Sequence, residues 1–227
     1  FVYANVPYRI KPYNSILKDP KNTIAYDYAN EEKIEERKKI LGADGALLAT
    51  ADNKVYKVNF IEKILAVLMA KLSNFVPEAG IWMNTQRPEW NDANNALVGN
   101  GVSMVTLYYL RRFLSFFKET LAATSTSSFA LSNEMYLFFS ALNQAFTQHS
   151  VLVQGTISDE QRKTLMDALG QAASSYREGV YNKGFTGEKT NLSKYQLLSF
   201  VETALLFMDD SIRKNKREDG LYHAYNL

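Results

Sequence analysis

The tightest constraint on this chain is a series of helix-start signals, each followed by an apolar run of helical period. Ser158 with Gln161 and Ser193 with Gln196 have the spacing of a capping box, in which side chain and backbone satisfy each other's orphan amides. Asn59 with Glu62 is an asparagine variant of the same device, and Ser103 stands where it can cap a helix from Met104. These signals predict helices over about Phe60–Phe75, Met104–Leu121, Asp159–Tyr176 and Lys194–Lys214, with another over Asn133–Gln148. In the first, Ile61, Ile64, Leu65, Leu68, Leu72 and Phe75 share one face, and Pro77 ends the run. The Met104 helix is apolar all round in its first turns, as a helix buried on most sides would be. The Lys194 helix is apolar on several sides, whereas the Asp159 helix is one-sided.

Alternation of this kind suits an inner ring of helices wrapped by an outer ring. The expected fold class is therefore all-α: part of an (α/α)6 toroid-like barrel, with a small β-hairpin and an irregular N-terminal arm. A plain helical bundle would give a similar pattern. The arm is placed at residues 1–30, where Pro7, Pro12 and Pro20 interrupt any helix, and the barrel portion at 31–227. Asn30 is expected to cap a charged helix from Glu31 to Leu41, ended by Gly42. Residues Ala46–Val58 read as a hairpin turning at Ala51-Asp52-Asn53-Lys54. Thr124–Ser128 reads as a linker. Both ends of the sequence look cut, so the chain is expected to be part of a longer polypeptide.

Composition removes several classes of function. Without cysteine there are no disulfides, thiolate ligands or cysteine nucleophiles. Two histidines, His149 and His223, make a histidine-rich metal centre improbable, although a mixed carboxylate site stays open. A net charge of +2 gives no reason to expect nucleic acid. No run is apolar enough for a membrane span and no leader peptide is visible, so no membrane partner is expected and the compartment is left open.

The chemistry concentrates between two helices, in a long segment from Glu78 to Gly101. Long irregular loops in compact domains are usually functional. This one places Trp90 beside the carboxyl groups of Glu89 and Asp92, with the amides of Asn91, Asn94 and Asn95 and the guanidinium of Arg87 close in sequence. A flat aromatic face suits the C–H face of a pyranose, and planar amides and carboxylates bind its hydroxyls. Cleaving a glycosidic bond requires a carboxylic acid that keeps its proton, as burial beside an indole and a second carboxyl group favours.

The run Glu89-Trp90-Asn91-Asp92-Ala93-Asn94-Asn95, followed by Val98, Gly99, Gly101 and Ser103 at the start of an aromatic helix, resembles the acid-bearing segment of the cellobiose and chitobiose phosphorylases. The likeness covers about 30 of 227 residues. It implies an inverting mechanism on an (α/α)6 barrel, with Asp92 as general acid and Trp90 as a sugar-stacking wall. Glu89, Asn91, Asn94, Asn95 and Arg87 would be substrate-binding by position. This chain has Ala93 and Glu89 where those enzymes carry Gly and Asp, and Arg87-Pro88 in place of the preceding glycines, which stiffens the loop.

The expectation is a carbohydrate-active enzyme, or a fragment of one, cleaving a di- or oligosaccharide by hydrolysis or phosphorolysis. No cofactor is expected; inorganic phosphate would be the co-substrate of phosphorolysis. A hydrolase needs a second carboxylate, roughly 6.5–9.5 Å from the first. Asp209, Asp210, Glu218 and Asp219 are the candidates, each better read as a helix-end or turn residue. The alternative is a non-catalytic toroid domain that binds carbohydrate or serves as a scaffold. Homo-oligomerisation is left open.

Overall fold

The computed structural model describes residues 1–50, 52–84 and 96–227. Helices dominate. They are α1 (Tyr13–Lys18), α2 (Tyr28–Leu41), α3 (Phe60–Leu72), α4 (Met104–Ala123), α5 (Asn133–Gln148), α6 (Asp159–Lys183) and α7 (Lys194–Lys214). The strands are short: β1 (Tyr8–Ile10), β2 (Ile24–Tyr26), β3 (Phe75–Val76), β4 (Gly80–Trp82), β5 (Val102–Ser103), β6 (Ser128–Ser132), β7 (Lys189–Ser193) and β8 (Tyr225–Asn226). They form antiparallel sheets in the orders β1-β2, β3-β4-β5-β8 and β6-β7.

Helices α3 to α7 share one core, in which Phe75, Phe139, Phe146, Phe200 and Phe207 meet edge-on or tilted at centroid separations of 5.0–6.2 Å. The starts follow the capping signals. Ser158 and Ser193 complete capping boxes, and Asn59 and Ser103 accept from Glu62 and Thr106 amides. Glu62 does not reciprocate. Its fully buried carboxylate crosses to α5, accepting from the Ser132 amide at 2.9 Å and hydroxyl at 2.5 Å. A carboxylate from the first turn of α3 thus sits at the start of α5, where the dipole favours negative charge.

Several expectations are corrected. The cap of α2 is Asp27, which accepts from the Asn30 amide; the Asn30 side chain bonds Asn5 and Val6 instead. Helix α3 ends at Leu72, because Phe75 joins a strand. Helix α6 runs on to Lys183. Its last turns gain tertiary partners: Val180 packs on the Tyr56–Val58–Phe185 cluster, and the Tyr181 hydroxyl accepts from Ile10. Helix α4 is one-sided, burying Met104, Leu107, Leu110, Leu114, Phe117 and Leu121 while Tyr109 and Phe116 face outward. Aromatic residues on several sides therefore did not mean burial on several sides.

The sequence after the Thr/Ser run forms β6, paired with β7 across the starts of α5 and α7. The N-terminal region holds α1 and the β1–β2 pair, because Pro12 stops a helix only from the inside and is tolerated at its entry. The Tyr13 ring lies so close to α6 that a Cβ on Gly170 would stand 2.2 Å from it. The hairpin around residues 46–58 is present as bridges, Ala49 to Val55 within it and Ala4 to Leu47 and Val2 to Lys57 outside it. Asn53 takes the left-handed turn conformation at φ 64°; Ala51 is outside the described residues.

Candidate functional site

Strands β4 and β5 lead into and out of the motif segment. Trp82 pairs with Val102, and Ile81 with Ser103. Beyond the pair, the Met83 amide donates to Gly101 at 2.9 Å, the Gly99 amide donates to Met83 at 2.6 Å, and the Trp82 indole donates to Gly99 at 3.1 Å. Gly99, at φ 86°, faces the backbone of Pro20, which a side chain would crowd. The two ends of the segment are thus clamped together at the start of α4. Arg87, Glu89, Trp90, Asn91, Asp92, Asn94 and Asn95 lie outside the described residues, as does Ala93.

The clamp is fixed from both sides. Strand β8 pairs with β5, and the Ala224 carbonyl accepts from Met104 and Val105, satisfying first-turn amides of α4 that have no partner in their own helix. On the other edge, Val76 and Ala79 close a tight turn, Ala79 donating to Val76 at 3.1 Å, with Pro77 and Glu78 at its corners. Pro first and a positive φ second is the type II pattern, which prefers glycine at the second place. Glu78 occupies it at φ 64°.

What holds Glu78 there is a set of polar contacts to α6 and α7. Its carboxylate receives Lys214 Nζ at 2.6 Å and Arg162 Nη2 at 2.6 Å. Its amide donates to Ser211 Oγ, and its carbonyl accepts from Asn215. Arg162 also donates to the Pro77 carbonyl, and Asn226 links Asn215 to Ala79. Lys214 reaches Asp210 as well, at 2.8 Å. Burial alone would raise the Glu78 pKa, but the hydrogen bonds from Lys214 and Arg162 outweigh it and hold the carboxyl below its ordinary value. Burial would lower the Lys214 ammonium, and Asp210 and Glu78 outweigh that in turn, holding it above.

These residues line a cavity of about 790 Å³ bounded by Val76, Val102, Thr156, Arg162, Lys214 and Asn226. Its two cations are both paired with Glu78, and Lys214 with Asp210 and Arg162 with Asp159 besides, so an entering anion would have to displace a carboxylate. Both Glu78 oxygens are occupied, which suits positioning better than proton transfer. Sequence reasoning passed over Glu78; a Pro-Glu corner two residues from a glycine was the available signal.

The other carboxylates divide. Asp209 pairs with Arg111 on the surface, Asp210 is buried against Lys214 and Arg213, and Asp219 pairs with Arg217 in a turn. These are helix-end and turn roles, as expected. His149 Nδ1 lies 2.8 Å from the Ala145 carbonyl at the end of α5, and the His223 carbonyl accepts from Tyr108. Among the described residues, no three His, Asp or Glu side chains converge as a metal site would require. No protein-family model matches this chain, and no curated protein is significantly similar to it.

Proposed function

We propose that this chain is part of a carbohydrate-active enzyme of the (α/α)6 kind, cleaving a glycosidic bond with inversion by hydrolysis or phosphorolysis. The observation that carries the reading is the clamp. A segment holding an indole, two carboxyl groups and three asparagine amides has its ends hydrogen-bonded together at the start of α4. Catalytic groups are commonly carried on loops that a rigid scaffold positions. Asp92 would donate the proton to the leaving oxygen and Trp90 would stack on the sugar. Arg87, Glu89, Asn91, Asn94 and Asn95 would bind its hydroxyls.

The test is turnover of a panel of disaccharides, with and without inorganic phosphate, by the wild-type chain and Asp92→Asn. Loss of a general acid should reduce the rate by at least about a hundredfold. Phosphate-dependent turnover lost in the variant marks a phosphorylase; phosphate-independent turnover lost in it marks a hydrolase. Turnover that survives the substitution removes Asp92 from the role. A second reading, a non-catalytic scaffold domain, is favoured by the apolar valley between α3 and α4, and absence of turnover on every sugar would put it ahead.

A further inference from the structure

Helices α3 and α4 leave a valley of about 480 Å³ between them. Its floor is Leu68 and Leu110, and its walls carry Phe60, Val67, Tyr109 and Phe113. Val67 is 64% and Tyr109 68% exposed, so these are large apolar side chains left in water on facing helices. A contiguous apolar surface of this kind usually marks an interaction site.

Two properties restrict the occupant. Apart from Phe1, which stacks on Phe60 and has its amine and carbonyl bonded to Val58, the walls are helices whose backbone groups are bonded internally, so the valley offers no strand edge to pair with. An extended peptide lying there would leave its amides and carbonyls unsatisfied, whereas a helix brings its hydrogen bonds with it. The charged side chains lining the valley are those of Lys63 and Lys71, the Phe1 ammonium beside them is bonded to the Val58 carbonyl, and no carboxylate is among the lining residues. Lys63 donates to the Val2 carbonyl and lies over the Tyr3 ring. Lys71 is exposed and makes no ion pair among the described residues. The two lysines are eight residues apart on α3 and flank Val67, which puts them about 12 Å apart along the axis.

We infer that this valley docks an amphipathic helix of a partner protein, with apolar anchors at i, i+3 or i+4 and i+7 and acidic residues two turns apart facing Lys63 and Lys71. The inference stands apart from the catalytic reading, since none of its residues belongs to the motif segment or its clamp.

The experiment uses two labelled synthetic helical peptides with the same leucine stripe, one flanked by glutamates and its twin by lysines. Binding to the chain is read by fluorescence anisotropy at low ionic strength. The acidic peptide should bind at least about tenfold more tightly than the basic one. Lys71→Glu should remove that preference, and Val67→Glu should abolish binding of both. Both positions are exposed, so the variants should keep the wild-type circular dichroism. Equal affinity for the two peptides, no binding of either, or a preference unchanged by Lys71→Glu overturns the inference. So does self-association that Val67→Glu abolishes, which would make the occupant a second copy. Co-sedimentation with phosphatidylserine vesicles, lost in Val67→Glu, would overturn it in favour of a lipid surface.

Discussion

Glu78 is where single-residue chemistry is most exposed to test. An L residue at its φ of 64° costs about 1 kcal/mol relative to glycine. Its two cations and its backbone partners offset that cost. Glu78→Gly and Glu78→Ala both lose the carboxylate, but only glycine relieves the backbone. Glu78→Ala should therefore be the less stable of the two by about 1 kcal/mol in urea unfolding. The carboxyl's folded pKa is depressed from an ordinary value of about 4.5. Its contribution is therefore fully present above that value and is lost as pH falls through the folded one. Glu78→Gln should flatten the stability profile below about pH 4.5 and leave its shape at neutral pH unchanged. Gly170 makes a second residue-scale case. Alanine is the better helix former, yet Gly170→Ala should destabilise by about 1–3 kcal/mol, because the methyl group meets the buried Tyr13 ring.

Among elements, the polar part of the junction of α3 with the start of α5 is made by the Glu62 carboxylate. Glu62→Ala leaves the Ser132 amide and hydroxyl buried without an acceptor and removes the charge 3.6 Å from Lys189. It should cost about 3 kcal/mol in denaturant unfolding, against about 1 kcal/mol for Ser158→Ala at an exposed capping box. The contrast shows what was legible in the sequence. Caps are local, so Ser103, Ser158 and Ser193 announced their helices correctly. The burial of Glu62 is not local: three residues after Asn59 it has the spacing of a capping box, and only the packed neighbour assigns it to Ser132. The same distinction explains α6, whose extension depends on Tyr56, Val58 and Ile10, and the β6–β7 pair, whose strands stand far apart in the sequence. Aromatic content misled at α4 because Tyr109 and Phe116 look like core residues until the facing surface is seen. The motif segment from Arg87 to Asn95 was conspicuous by composition, while its clamp, the Trp82 indole and Gly99 apart, rests on backbone carbonyls and amides that no residue type betrays.

Across the whole molecule, α3 to α7 share a core and α2 stands apart, burying Ile34 alone along its fourteen residues. Amide exchange should follow that division. The amides of α2 should exchange through local opening well before those at the centres of α4 and α7, which should report the global transition. Mass-spectrometric exchange across the two peptides would check it; equal protection would make α2 part of the main cooperative unit.

Strand β8 gives the clamp a history as well as a geometry. On one side, Val102, Ser103, Met104 and Val105 bond to residues 224–226, more than half the chain away. During synthesis α3 can form before any of these residues has been made, whereas the β3–β4 turn waits for its partners on α6 and α7. The chain must carry the start of α4 unfinished until nearly every other helix has been synthesised. Whatever the motif segment does, the start of α4 that anchors it is complete only once residues 224–226 have joined it.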